Sequence, residues 1–371
     1  LLIIIGDPMA ILMVIIFILL FILLIVFLVV QQNNFESFLS YKRCEKKPLK
    51  GITKELMDVH EITEAKPSED WDIYIPCGYT GVEKELRNID ELNEKQKIFG
   101  IDGCDKIVSK NNLWKLMIDE YGFEKATTIM PTTYLLHNEK HMEIFKKKFN
   151  KDNVYILKRN VQRKKGIKLS NNYYDIINSK YNKYKLVQDM KESYLVNERK
   201  FNIRLYLLIV CSKDTTNVYL HKHNKLLYTK DKINRKDKLD FNSNITNSYD
   251  VAKDIYDTHP FNVTELEKLT NDNKISKQIK DKITMFSKVI VLPLNKNTKT
   301  KNNTNFQLFG VDAIYDKKGE IYYLEANKGP DMIPKDDRDK KMKTKIINDT
   351  LSKVEIIGDD NHNDFELVYS L

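Results

Sequence analysis

Two stretches of the chain, FGVDAIYDKKGEIYYLEANKG and VYILKRNVQRKKGIKL, hold the residue types from which metal and phosphate chemistry is built. In the first, Asp312 sits inside one apolar run, and Glu325 and Asn327 end another, around the turn residues Asp316 to Gly319. Read as a hairpin, Tyr315 faces Glu320 and Asp312 faces Tyr323, so Glu325 lies diagonal to Asp312 on one face and Asn327 follows on it. Diagonal neighbours are about 7–8 Å apart, close enough for two carboxylates to share one ion. Three oxygen-bearing side chains at a strand end suit Mg²⁺, which takes hard oxygen ligands and completes its shell with water and phosphate. The plain alternative is a hairpin with a polar face. In the second stretch Lys158 ends a strand, and Arg159, Arg163, Lys164 and Lys165 follow in a loop closed by Gly166. Such a loop can cover a triphosphate with backbone and cationic donors, or stand as a solvated basic loop. Neither GxxxxGK[ST] nor GxGxxG after a strand occurs, so any phosphate is held without a P-loop or a Rossmann turn.

The elements that must position these residues read as α+β. WDIYIPCGYT reads as a strand and turn, KELRNIDELN as a helix, and DKIVSKNNLWKLMIDEYG as one amphipathic helix with Leu113, Leu116 and Met117 on a face. IMPTTYLL and NVYILKRN read as strands flanking a helix over 138–149, and YKLVQDM and KFNIRLYLLIVCS as two more. Ile275, Ile279, Ile283, Phe286 and Ile290 recur at helical spacing over 274–293, and 336–353 reads as a charged helix. Residues 294–305, LNKNTKTKNNTN, read as a low-complexity loop, and no internal repeat is present.

With 371 residues, 42% hydrophobic and 30% charged, the chain is long enough to bury a sizeable core and is not of disordered composition. Its 61 Lys and Arg against 52 acids, a net +9, favour an acidic partner without choosing among nucleic acid, an anionic membrane and an acidic polypeptide. Cys44, Cys77, Cys104 and Cys211 are scattered without CxxC spacing, which suggests neither a zinc site nor a disulfide framework and fits a reducing compartment. Met9 to Val30 lacks any polar side chain and has the length of a helix crossing about 30 Å of hydrocarbon. It reads as a single-pass anchor rather than a cleaved signal peptide, and Lys42, Arg43, Lys46, Lys47 and Lys50 after it place the remainder in the cytoplasm. Residues 31–68 then read as a juxtamembrane linker.

ILKRNVQRKKGIKL, LVQDM, RKFNIRLYLLIV, NITN, FQLFGVDAIYD and YYLEANKGP, in that order, resemble the tubulin-tyrosine ligase-like family of ATP-grasp amino-acid ligases, over roughly residues 100–335. KNNLW and MPTTY resemble its earlier blocks. The resemblance implies an ATP-grasp fold of two α/β lobes clamping ATP, divided as an N-terminal lobe 69–135, a central lobe 136–200, a C-terminal lobe 201–355 and a tail 356–371. It implies Lys158 at a phosphate with Arg163 and Gly166 in the covering loop, and Gln188, Asp189 and Met190 lining the adenine pocket. Lys200 and Asn202 would lie by the nucleotide, and Arg204 would hold the acyl phosphate or the incoming amino acid. Asn247, Asp312, Glu325 and Asn327 would complete the metal and phosphate site, with ATP and Mg²⁺ as cofactors. The implied reaction phosphorylates a carboxylate and lets a free amino acid attack it, on an acidic protein tail such as that of tubulin.

Two departures from the family pattern stand out. KFNIR has Asn202 where the family carries an acid, and YLHKHNKLLYTK offers Asn224 and Leu227 where the family has a glycine and then an arginine for the amino acid. Lys222 or Lys225 are candidate substitutes. These departures support a second reading, a catalytically inactive, membrane-tethered module that grips acidic tails. A third, a nucleic-acid binder, lacks a motif or a concentrated basic stripe. His137 and His141 lack the glutamate of HExxH and read as surface residues, while His221 and His223 read as a solvated strand rim.

Overall fold

The computed structural model describes residues 9, 15–22, 39–44, 47–66, 68–78, 81–89, 93–161, 166–246, 254–294, 303–358 and 362–371. Its strands are β1 (Ser40–Arg43), β2 (Thr63–Glu64), β3 (Ile73–Ile75), β4 (Lys97–Phe99), β5 (Thr133–Leu135), β6 (Tyr155–Lys158), β7 (Ile167–Ser170) and β8 (Leu186–Asp189). They continue as β9 (Leu195–Val196), β10 (Arg199–Cys211), β11 (Thr216–His221), β12 (Lys225–Tyr228), β13 (Thr304–Tyr315), β14 (Ile321–Lys328) and β15 (Phe365–Ser370). Among the described residues, eleven strands form one mixed sheet in the order β15-β11-β10-β13-β4-β3-β1-β2, with β9 and β12 also on β10 and β14 on β13. The other four form an antiparallel sheet, β5-β8-β6-β7. The fold is thus mixed α/β with two sheets.

The long central pair β10–β13 organises the large sheet, and its two faces differ in a way that makes the site. Side chains alternate along a strand. Phe201, Ile203, Leu205 and Leu207 of β10 and Phe309, Val311 and Ala313 of β13 enter a core with Ile275, Ile279, Ile283, Phe286 and Ile290 of the helix Lys274–Val291. On the opposite face, Leu208 of β10 and Phe306 and Leu308 of β13 meet Ile346, Ile347 and Leu351 of the helix Asp337–Lys353. That second core does not extend along the whole face. Beyond Leu208 the same face of β10 carries Tyr206, Arg204, Asn202 and Lys200, and beyond Leu308 that of β13 carries Gly310 and Asp312. The lower helix starts where Asp336 accepts from the Asp339 amide at 2.7 Å, with Asp337 and Asp339 in its first turn, both favourable at a helix N-terminus.

Several expectations are corrected. Among the described residues no helix is long and apolar enough to cross a membrane, which overturns the single-pass anchor and the membrane localisation. Residues 10–14 and 23–30 of that apolar run lie outside the described residues. The stretch read as a linker carries β1, the helix Ile52–Val59 and β2, and Tyr41, Ile52, Leu56 and Met57 are buried in the second core. The helix expected across DKIVSKNNLWKLMIDEYG breaks at Ser109, whose ψ of 112° is extended, into Cys104–Val108 and Lys110–Tyr121. Cys44 and Cys77 are not independent thiols but are joined, their Cα atoms 5.4 Å apart, the usual disulfide spacing. His221 is buried, accepting from the His223 amide on Nδ1 (3.0 Å) and meeting Asp349 through Nε2 (2.9 Å). His141 is also buried, its Nδ1 accepting from the Leu135 amide at 3.0 Å.

Candidate functional site

A β-bulge decides which face the acids occupy. In the β13–β14 hairpin Tyr315 pairs with Ile321 and Ala313 with Tyr323, but Asp312 pairs with Glu325, so Leu324 is an extra residue. The expected register, Tyr315 with Glu320 and Asp312 with Tyr323, is off by one at the turn. Without the bulge Tyr323 and Glu325 would share a face. With it, Tyr323 enters the first core beside Phe286 while Glu325 turns to the opposite face, directly across from Asp312. Asn327 stands opposite Gly310 on the same face and donates its amide to Glu325 Oε1 at 3.2 Å. The acids are therefore closer than a diagonal pair.

Register then supplies the cations. Arg204 on β10 pairs with Asp312, and its guanidinium grips that carboxylate bidentately, Nε–Oδ1 at 2.6 Å and Nη2–Oδ2 at 3.1 Å. Planar two-point contact of this kind fixes both side chains. Gly310 makes room for it: a Cβ there would stand 3.0 Å from Pro330 Cβ and 3.2 Å from Arg204 Cδ and Nη1. Lys110, the first residue of the helix Lys110–Tyr121, reaches Glu325 Oε2 at 3.2 Å. Lys158 arrives from the other sheet. On β6, Tyr155 and Leu157 face the small sheet's own core, which turns Lys158 to the opposite side, where its Nζ donates to Gln188 Oε1 at 2.8 Å. Gln188 is fixed in turn by donating to Thr133 Oγ1 at 2.8 Å.

The electrostatics are those of a closely coupled charge cluster. Burial lowers the Lys158 ammonium to about 8, against the upward pull of Glu325 and Asp312. Burial alone would raise Glu325, but Lys110, Lys158 and the Asn327 amide outweigh it and hold the carboxyl at about 2. Burial raises Asp312, opposed by Arg204; burial disfavours the Arg204 cation, but Asp312 more than restores it, so its proton is held above the ordinary range. Lys200, further along the polar face of β10, is lowered to about 8 by burial, and its Nζ donates to Asn244. The donor set is oxygen-only and anionic at Glu325, which fits a hard divalent cation, and the surrounding Lys110, Lys158 and Arg204 fit phosphate oxygens.

Not every expected residue converges. Asp189 follows Gln188 on β8 and so projects to the other side of the strand; its amide and that of Met190 donate to Thr132 and Val154 carbonyls at 2.9 and 3.1 Å. Gly166 closes the basic loop by accepting from the Arg159 amide at 2.8 Å, and a Cβ there would lie 2.7 Å from Arg159 Cβ. Arg163 and Asn247 lie outside the described residues; in the NITN segment, Asn244 is the residue that meets Lys200. Asn202 pairs in register with Leu227. Lys225 stands opposite Arg204 but gives its Nζ to buried Asp339 at 2.8 Å, under the rings of Tyr256 and Phe261, while exposed Lys222 pairs with Asp364.

Sequence reasoning missed Lys110 as a site residue. Its segment KNNLW was singled out as a block, and the signal available was a lysine at the start of an amphipathic helix; only the fold sets it against Glu325. Residues 87–364 match the model of the Tubulin-tyrosine ligase family. The chain is 22% identical over 279 residues to the probable tubulin polyglutamylase ttll-9 of Caenorhabditis elegans, an alignment covering 66% of this chain. It spans 62% of the length of that curated relative.

Proposed function

Since this chain belongs to the tubulin-tyrosine ligase family, we propose that it is an ATP-dependent carboxylate–amine ligase of ATP-grasp type that adds glutamate, glycine or tyrosine to an acidic protein tail. Tubulin is the candidate acceptor, in keeping with the name of the C. elegans relative. The single observation that carries the reading is the facing of Lys158 from the small sheet with the Lys110, Glu325, Asn327, Asp312 and Arg204 cluster of the large one. ATP would lie between the sheets, its adenine end towards Gln188, Asp189 and Met190, with Lys200 and Asn202 along the nucleotide. The covering loop with Arg163 and Gly166, and Asn247, belong to the same proposal. Asp312, Glu325 and Asn327 would hold Mg²⁺, which when bound supplies charge neutralisation at phosphoryl oxygens.

The chain's own residues account for the remaining demands. Lys110 and Lys158 neutralise phosphate charge, and Arg204 holds the developing acyl phosphate in place. The acceptor carboxylate oxygen attacks the γ-phosphorus and ADP leaves. The amine of the incoming amino acid then attacks the acyl carbon, phosphate leaves, and an amide bond remains. A closed cleft protects the acyl phosphate from water. The net charge of +9 favours approach of an acidic tail.

A second reading, an inactive module that binds acidic tails, is favoured by one observation. The two departures, Asn202 and Leu227, are cross-strand partners, so that corner of the sheet has no charge pair. Isothermal titration of the full chain with Mg·ATP, followed by mass analysis of an acidic tail peptide incubated with ATP and single amino acids, separates the two. A mass gain matching one amino acid supports the ligase; binding without any mass gain supports the module.

A further inference from the structure

We propose that Cys44 and Cys77 form a reversible thiol–disulfide switch that sets the position of the segment carrying Lys110. The pair sits at the ends of adjacent parallel strands, β1 and β3, where Arg43 is in register with Ile75. Both residues are half-buried, and their Cα atoms are 5.4 Å apart, so no backbone movement is needed to join them. Beside Cys77 opens a cavity of about 220 Å³ lined in part by Arg43, Leu49, Thr53, Pro76 and Phe99. The Arg43 guanidinium at its wall donates to the Lys47, Pro76 and Cys77 carbonyls, so it offers an approaching anionic small-molecule disulfide such as glutathione disulfide positive potential rather than a free donor.

The pair is connected to the site by hydrogen bonds and ion pairs through one short helix. The Cys77 amide donates to Glu85 Oε1 at 3.1 Å, an oxygen that also accepts from Tyr74 Oη at 2.8 Å. Glu85 lies on the helix Val82–Arg87, whose Glu83 accepts from the amides of Gly103 and Asp105 at 3.1 and 2.6 Å, and whose Arg87 pairs with Asp102 at 3.0 Å. The segment so held carries Asp105, paired with Lys328, and then Lys110, paired with Glu325. Both β14 residues flank Asn327. Arg43 also donates to the Pro76 and Cys77 carbonyls at 2.8 and 3.2 Å, so the disulfide is the second of two ties on the Cys77 end, and parting the sulfurs leaves that end held by Arg43 alone.

The chemistry balances with an external disulfide. One protein thiolate attacks a small-molecule disulfide and expels a thiolate; the second protein thiolate attacks the mixed disulfide and expels the other. The protein loses two thiol protons, the two expelled thiolates take them up, and the small disulfide is reduced to two thiols. Excess reduced thiol reverses both steps.

The test uses the full chain poised in glutathione buffers, with differential alkylation and mass analysis of the Cys44 and Cys77 peptides. Amide hydrogen exchange over residues 102–110 is followed in the same samples. The expected result is a reversible two-electron titration of the pair, with exchange at Gly103 and Asp105 slowed about tenfold in the oxidised form. Mg·ATP, if bound as the ligase reading requires, binds about fivefold tighter to the oxidised form. Cys44→Ser stays at the reduced values in every buffer, and Glu83→Ala, which removes the acceptor of the Gly103 and Asp105 amides, keeps the titration but loses the exchange difference. Thiols that alkylate fully at every poise overturn the proposal, as does equal exchange in the two forms. Stoichiometric Zn²⁺ held by Cys44, Cys77 and Glu85 that blocks oxidation overturns it in favour of a metal site. Failure to bind Mg·ATP in either form counts against the ligase reading alone, since the exchange measurement still decides the switch.

Discussion

Glu325→Gln keeps the shape of the side chain and removes its charge, which makes it a direct measure of how strongly the site wants an anion at that position. The carboxyl is held at about 2 against an ordinary 4.5, so ionisation of Glu325 stabilises the fold by about 3 kcal/mol at pH 7, at 1.36 kcal/mol per unit. The sign follows from the depression. The contribution is fully present above the unfolded value of 4.5 and is lost as pH falls towards 2. At pH 3.5 about 2 kcal/mol of it remains. Urea unfolding of wild type and Glu325→Gln, followed by intrinsic fluorescence at pH 7 and pH 3.5, should therefore give a gap of about 3 kcal/mol that narrows to about 2. The loss of counter-charge at Lys110 and Lys158 in the variant is already contained in that figure, since these two cations are what depress Glu325. A variant as stable as wild type at pH 7, or a gap that does not change with pH, would refute the claim that Lys110 and Lys158 hold an ionised Glu325.

Three further predictions address the neighbouring parts. Lys158, lowered by burial to about 8, is protonated below that pH and neutral above it, while the unfolded chain keeps its proton to 10.5. Stability should therefore rise with pH between about 8 and 10.5 while Mg·ATP affinity falls across pH 8; because Lys200 is lowered to about 8 as well, Lys158→Met should weaken both trends and Lys158→Met with Lys200→Met should abolish them, as read by unfolding and by calorimetric titration. Gly310→Ala places a methyl 3.0 Å from Pro330 and 3.2 Å from the Arg204 guanidinium. It should displace the Arg204–Asp312 clamp and lower turnover about tenfold at a stability cost of about 1–2 kcal/mol, checked by kinetics and urea unfolding side by side. Deleting Leu324 turns the bulge into a regular ladder in which Tyr323 and Glu325 are adjacent and still face opposite sides, so the deletion variant should keep Glu325 across from Asp312 and retain Mg·ATP binding in titration.

Much of the fold could be read from the chain because hydrophobic period and strand composition act locally. The helix over 274–293, the strand KFNIRLYLLIVC and the strands around Lys158 and Gln188 were all expected and are present as Lys274–Val291, β10, β6 and β8. The convergence of Asp312, Glu325 and Asn327 was also legible, but for a reason only partly right. Alternation placed Glu325 and Asp312 on one face through a diagonal, whereas an extra residue at Leu324 brings them directly opposite and sends Tyr323 to the core. A bulge is one residue of length with no side-chain signature, so it escapes pattern reading. The same holds for long-range partners: nothing local ties Lys110 to Glu325, Lys225 to Asp339 or Cys44 to Cys77. The apolar run near the start misled because hydropathy over length was taken as a span, whereas none of the described helices is long and apolar enough to cross a bilayer.

The central claim is that the cluster around Glu325 supports ATP-driven amide formation on an acidic tail. The most direct measurement is ADP release by the full chain with Mg²⁺, a tubulin tail peptide and each of glutamate, glycine and tyrosine supplied singly, alongside Glu325→Gln. The account predicts ADP release that requires both the peptide and one of the three amino acids, matched by an equal molar gain of that amino acid on the peptide, and absent in the variant. ADP release independent of peptide and amino acid, or equal in wild type and Glu325→Gln, would contradict it.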